Sequence, residues 1–112
     1  MTPSAFLTKT VDVASRRFQV QVLRFENGNF VSVTEGSTRI GSLVVSLATG
    51  PVPVTTTVIP AKTESVFMKL TAEKISSTVQ GIAIVSVNVK KEIDINSAKA
   101  VISAITEMIR NV

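Results

Sequence analysis

Cysteine, histidine, tyrosine and tryptophan are all missing from the 112 residues of this chain. Without cysteine there can be no disulfide and no thiolate metal ligand. The joint loss of histidine and cysteine removes the commonest general base, the commonest metal ligand and the best thiol nucleophile. Serine and threonine are plentiful, but no imidazole stands ready to activate them, and no spacing suggests serine–lysine chemistry. Long apolar runs are missing as well. A membrane span needs about 20 such residues, whereas the longest stretches, around Leu43-Val44-Val45 and Ile82-Ala83-Ile84-Val85, are strand-sized. The segment Met1–Leu7 has neither a basic start nor an apolar run, so it does not read as a signal peptide. These absences point to a soluble, cytoplasmic, non-enzymatic protein with no cofactor and no membrane partner.

What is present is apolar surface. Hydrophobic residues make up 45% of the chain and mean hydropathy is +0.38, high for a soluble domain of this size. The length suits one domain over residues 1–112. The net charge is +4, from twelve Lys and Arg against eight acids, and only Arg16-Arg17 and Lys90-Lys91 are adjacent basic pairs. So modest and scattered a surplus permits nucleic acid as a partner without favouring it.

From Phe6 to Leu47 the pattern is that of four strands. Phe18, Val20 and Val22 alternate with Arg17, Gln19 and Gln21, which turns one face inward. Asn27-Gly28 then predicts a tight hairpin that sets Phe25 opposite Phe30. Gly36-Ser37-Thr38 predicts a further turn into Arg39–Leu47, completing a meander. The Gly/Pro-punctuated stretch Ala48–Val54 is a loop, and the β-branched run Thr55–Ile59 a fifth strand. Thr63 is a suitable N-cap, with Glu64 in the first turn, for a helix reaching Val79. Phe67, Met68, Ala72, Ile75 and Val79 share one face of it, and Lys62, Lys69, Glu73 and Ser76 the other. Ile82–Val89 is a sixth strand, apolar on both faces. Ile95, Ala98, Val101, Ile102, Ile105, Met108 and Ile109 form the stripe of a last helix that Asp94 or Asn96 can cap. An α+β fold follows, an antiparallel sheet of about six strands with both helices on one face.

If the helices cover one face, the other meets water or a partner. Arg17, Gln19, Gln21, Leu23 and Phe25 would lie there on the second strand. On the fourth and sixth strands both rows are apolar, Ile40 and Val44 against Leu43, Val45 and Leu47, and Ile82 and Ile84 against Val85 and Val87. Burying one such side chain is worth about 1.5–3 kcal/mol, so a dimer through the open face is expected, with Leu23, Phe25 and Val44 in it. Arg16, Arg17, Arg24 and Arg39 lie in the strand region and could line one surface. Arg16, Arg17, Arg39 and Lys62 are the expected partner-binding cations, with solvated strand charge as the plainer reading.

Gly36 and Gly41 have the glycine spacing of a phosphate-binding loop, but Ser42-Leu43 stands where lysine and a hydroxyl residue are required. A turn followed by a close-packed glycine explains them better. Glu92 and Asp94 flank the entry to the last helix, where capping accounts for them without acid–base chemistry.

Ser37-Thr-Arg-Ile-Gly-Ser-Leu-Val-Val-Ser-Leu47, Thr55-Thr-Thr-Val-Ile59, a helix, Gly81-Ile-Ala-Ile-Val-Ser-Val-Asn-Val-Lys-Lys91 and a final helix follow one another in order. In that order and spacing, from about Val31 to Arg110, the chain resembles the proteasome assembly chaperones of the third- and fourth-chaperone type. The resemblance implies a dimer, with itself or a related subunit, that docks on proteasome α-type subunits and supports α-ring formation. Two features depart from that pattern: the loop Ala48–Val54 is shorter, and the final Ile109-Arg-Asn-Val112 lacks the hydrophobic-Tyr-X tail with which other assembly chaperones enter α-ring pockets. A small basic dimeric nucleic-acid-binding protein is the alternative.

Overall fold

The alternation of Phe18, Val20 and Val22 is realised in β2 (Arg16–Phe25), the longest strand of a six-stranded sheet. The computed structural model describes residues 6–48, 50–60 and 66–110; Lys62, Thr63 and Glu64 lie outside the described residues. The other strands are β1 (Phe6–Val13), β3 (Gly28–Thr34), β4 (Ser42–Leu47), β5 (Val54–Ile59) and β6 (Ile82–Asn88). The helices are α1 (Val66–Val79), between β5 and β6, and α2 (Ile95–Arg110), after β6. Six strands and two helices form the expected α+β fold.

Sheet order is β1-β2-β3-β6-β4-β5. Four of the pairings are antiparallel and one, β3 with β6, is parallel, so the sheet is mixed. The anticipated meander therefore stops at β3. Residues 35–41 skirt the end of β6 and do not turn back on β3. They are tied down there by Glu35 N–H donating to the Asn88 carbonyl (2.9 Å) and Gly41 N–H donating to Ser86 Oγ (3.2 Å). The physical reason is that β6 is apolar on both faces. A strand of that kind is stable only in the middle of a sheet, and β6 takes that place by separating β3 from β4.

Both helices lie on one face. α2 packs on β1 and β2, and α1 on β4, β5 and β6. Beneath them Phe18, Val20, Val22, Val31, Val33, Val85 and Val87 meet Phe67, Met68, Ala72 and Ile75 of α1 and Val101, Ile105, Met108 and Ile109 of α2. Ser76, expected on the solvent side of α1, is instead fully buried. Its hydroxyl lies 3.0 Å from Ser46 Oγ, and Thr55 Oγ1 lies within hydrogen-bond distance of both Ser46 Oγ (3.1 Å) and Glu73 Oε2 (3.0 Å), its one proton serving one of them at a time. α1 ends where Gln80 takes φ +55° and Gly81 N–H returns to the Ser76 carbonyl (3.1 Å), a Schellman closure.

The β2–β3 hairpin also corrects the sequence reading. Its two-residue loop is Glu26-Asn27, with Phe25 opposite Gly28 and Leu23 opposite Phe30. Gly28 is a strand residue, and a Cβ there would collide with the Ile82 carbonyl where β6 begins. The glycine is needed for close approach of a third strand.

Candidate functional site: the open face of the sheet

β2 aims Phe18, Val20 and Val22 at the helices, so Arg17, Gln19, Gln21, Leu23 and Phe25 point the other way. Register carries that phase across the sheet. Leu23 stands beside Phe30, Phe30 beside Ile84, Ile84 beside Val45, and Ile82 beside Leu47. No helix covers these side chains, and Leu23, Phe30, Ile84, Leu43 and Val45 are only half-buried. Phe25 is 59% exposed. Along the other half of β2 and β3 the same face is polar, with Gln19, Gln21 and Ser32.

Two hollows mark the face. One, about 250 Å³, is lined by Leu23, Phe30 and Ile40 together with Gln21, Ser32, Ser86, Thr38 and Arg39. Thr38, Arg39 and Ile40 belong to the segment between β3 and β4, which bends over the open face. Ile40 is 75% exposed. The other hollow, about 400 Å³, lies at the β1–β2–β3 corner, lined by Thr10, Arg17, Gln19, Thr34, Glu35, Gly36 and Lys90 among others. Thr34 is fully buried and its hydroxyl has no hydrogen-bond partner among the described residues.

Of the three expected dimer-face residues, Leu23 and Phe25 lie on the open face. Val44 does not: it is 2% exposed, sits opposite Val85 and belongs to the core under α1. Leu43 and Val45 hold the open-face positions of β4. Both rows of β4 are apolar, so composition could not set its phase.

The expected partner-binding cations separate in the same way. Arg16 is an internal clamp. Its Nε and Nη2 bind both oxygens of Glu35 (3.1 and 2.7 Å), and both side chains are 9% exposed. Nη1 and Nη2 also donate to the Glu92 and Lys91 carbonyls (3.0 and 2.9 Å), and Asp94 lies 3.4 Å from Nη1. The guanidinium lies 4.9 Å over the Phe18 ring. So bonded, it has no freedom to meet a partner. Arg17 is exposed but pairs with Asp12 at 2.8 Å. Arg39 is exposed on the open face, and Lys62 lies outside the described residues. Arg24 has the opposite phase to Arg17, so the four arginines do not share one surface.

Glu35 is the group that sequence reading missed. The Arg16 fork holds its carboxyl below the ordinary carboxylate range against the opposing effect of burial, and the Lys90 N–H (2.9 Å) reinforces it. Asp94 is lowered too, first by the Ser97 hydroxyl and amide at 2.6 and 3.2 Å; it is the N-cap of α2. Among the described residues no group of three potential ligands is placed to hold a metal ion, and no helix is long and apolar enough to cross a membrane. What the geometry offers is a broad surface, part apolar and part polar, with no helix over it.

No family model and no curated protein matches the chain. Among solved structures it is similar to a chain from the crystal structure of a novel chaperone complex for yeast 20S proteasome assembly. The TM-score is 0.62 over 97% of this chain and 91% of that one, at 10% sequence identity. At that identity the likeness establishes a shared fold.

Proposed function

We propose that this chain is a non-enzymatic chaperone subunit that assists α-ring assembly of the 20S proteasome. It binds α-type subunits as a homo- or heterodimer formed through the open sheet face. The observation that carries this reading is the uncovered apolar row Leu23, Phe30, Ile84 and Val45, set on a fold shared with the yeast assembly chaperone. Those side chains are already half-buried, so covering each contributes only part of the about 1.5–3 kcal/mol of full burial, but a sheet packed against another sheet covers many at once. The charges favour a nucleic-acid role less: Arg16 is internal, Arg17 pairs with Asp12 and Lys9 with Glu107.

Native mass spectrometry of complexes purified through a tag on this chain, from its own cells, tests the reading. A two-subunit chaperone carrying α-type proteasome subunits is the expected result. Recovery of no α-type subunit across mild salt conditions overturns it.

A further inference from the structure

The open face is not uniform, and its charges are not balanced. The apolar hollow under Arg39 and the corner hollow at Arg17 and Lys90 adjoin along Gln19 and Gln21 of β2. The two carboxylates at that corner already have partners. Asp12 takes the Arg17 Nε, and Glu35 is gripped from both sides by Arg16 and the Lys90 amide. Arg39, by contrast, makes no ion pair through its side chain among the described residues, and the Lys90 ammonium has only a longer-range attraction to Glu35, whose oxygens Arg16 already holds. Lys90 lies over Gly36, whose positive φ (+90°) and missing Cβ let the ammonium chain rest against the turn. The buried Thr34 hydroxyl of this corner also lacks a partner among the described residues.

We infer that the occupant of this part of the face is a different polypeptide whose contact surface sets carboxylates beside apolar side chains. The apolar side chains enter against Leu23, Phe30 and Ile40 while the carboxylates meet Arg39 and Lys90. A cation carried into an interface without a counter-charge is strongly disfavoured, so the partner must bring the acid. A second copy brings too little: on its open face Asp12 is bound to Arg17, and a twofold that reverses the strands carries only Glu26 of the β2–β3 turn to that corner, one carboxylate against two cations. This inference rests on the proposed function and narrows it to a heteromeric contact.

The test uses the full chain and three fluorescent peptides, alternating leucine with glutamate, lysine or serine, titrated by fluorescence anisotropy. The glutamate peptide is expected to bind at least about tenfold more tightly than the serine peptide, with the preference falling as salt rises. The pair Arg39→Glu with Lys90→Glu is expected to remove that preference. The pair Lys74→Glu with Lys99→Glu, on exposed helix positions with the same charge change, should keep it. Equal binding of the glutamate and serine peptides, or equal loss in both variant pairs, overturns the inference. Native mass spectrometry separates it from the broader reading. A homodimer indifferent to Arg39→Glu with Lys90→Glu would sink the acidic-partner inference and leave sheet-face pairing intact. Selective glutamate-peptide binding by a chain that recovers no α-type subunit from its cells would do the reverse.

Discussion

The two faces of the sheet are built from the same few residue types, yet helices cover only one of them. Val85 and Ile84 are neighbours on β6. Val85 is fully buried beneath the helices, while Ile84 looks out between Phe30 and Val45. On the helix side, valines interlock with Ala72, Ile75, Val101 and Ile105, and Ser46 pairs with Ser76 through their hydroxyls. On the open side, branched apolar residues lie next to glutamines and serines with no helix over them. The lesson is that a strand's hydrophobicity does not say whether it supports the fold or meets a partner; what is packed above it does.

Mutations can break that contrast in graded steps. Phe18→Ala is expected to cost about 3–5 kcal/mol, because Phe18 is fully enclosed and also floors Arg16; urea melts measure it. Glu35→Gln should cost about 3 kcal/mol, the order found when one partner of a shielded ion pair is removed. It should also change the acid response. The native carboxyls of Glu35 and Asp94 are depressed, so the unfolded chain binds protons more readily. Their contribution is complete above the ordinary carboxylate pKa and disappears as pH falls through the lowered native values. Melting temperature followed from neutral to acid pH should therefore drop less steeply in Glu35→Gln than in the wild type.

The β6 pair gives the sharpest comparison. Val85→Thr places an unsatisfied hydroxyl in the core and should cost about 1–3 kcal/mol. Ile84→Thr should change monomer stability by less than about 1 kcal/mol while reducing association, read by sedimentation at equal protein concentrations. If Ile84→Thr destabilises as much as Val85→Thr and leaves association untouched, the two faces do not differ in the way described. The smallest effect is expected in the β1–β2 turn, where Ala14 adopts φ +55°. Ala14→Gly should stabilise by up to about 1 kcal/mol by removing a Cβ from a left-handed conformation.

Sequence patterning made some of this legible and left some of it hidden. The period-two alternation of β2 and the apolar stripe of α2 set the phase of those elements, because in each one face is polar. β4 offered no such contrast, and Val44 was placed on the wrong side. The sixth strand was legible as a strand with two apolar faces, but nothing local says which strands it will part. Arg16 read as a surface cation because its partners are remote, Glu35 across the next strand and Asp94 beyond four further elements. Gly28 read as a turn glycine, since the backbone it makes room for arrives only with Ile82.

The place of β6 between β3 and β4 also imposes an order of events during synthesis. Until residues 82–88 leave the ribosome, the β1–β3 unit and the β4–β5 hairpin each present a valine-bearing border with unanswered amides and carbonyls. Such borders invite pairing with any neighbouring nascent chain. Burial of those borders thus waits on a strand made after the other five.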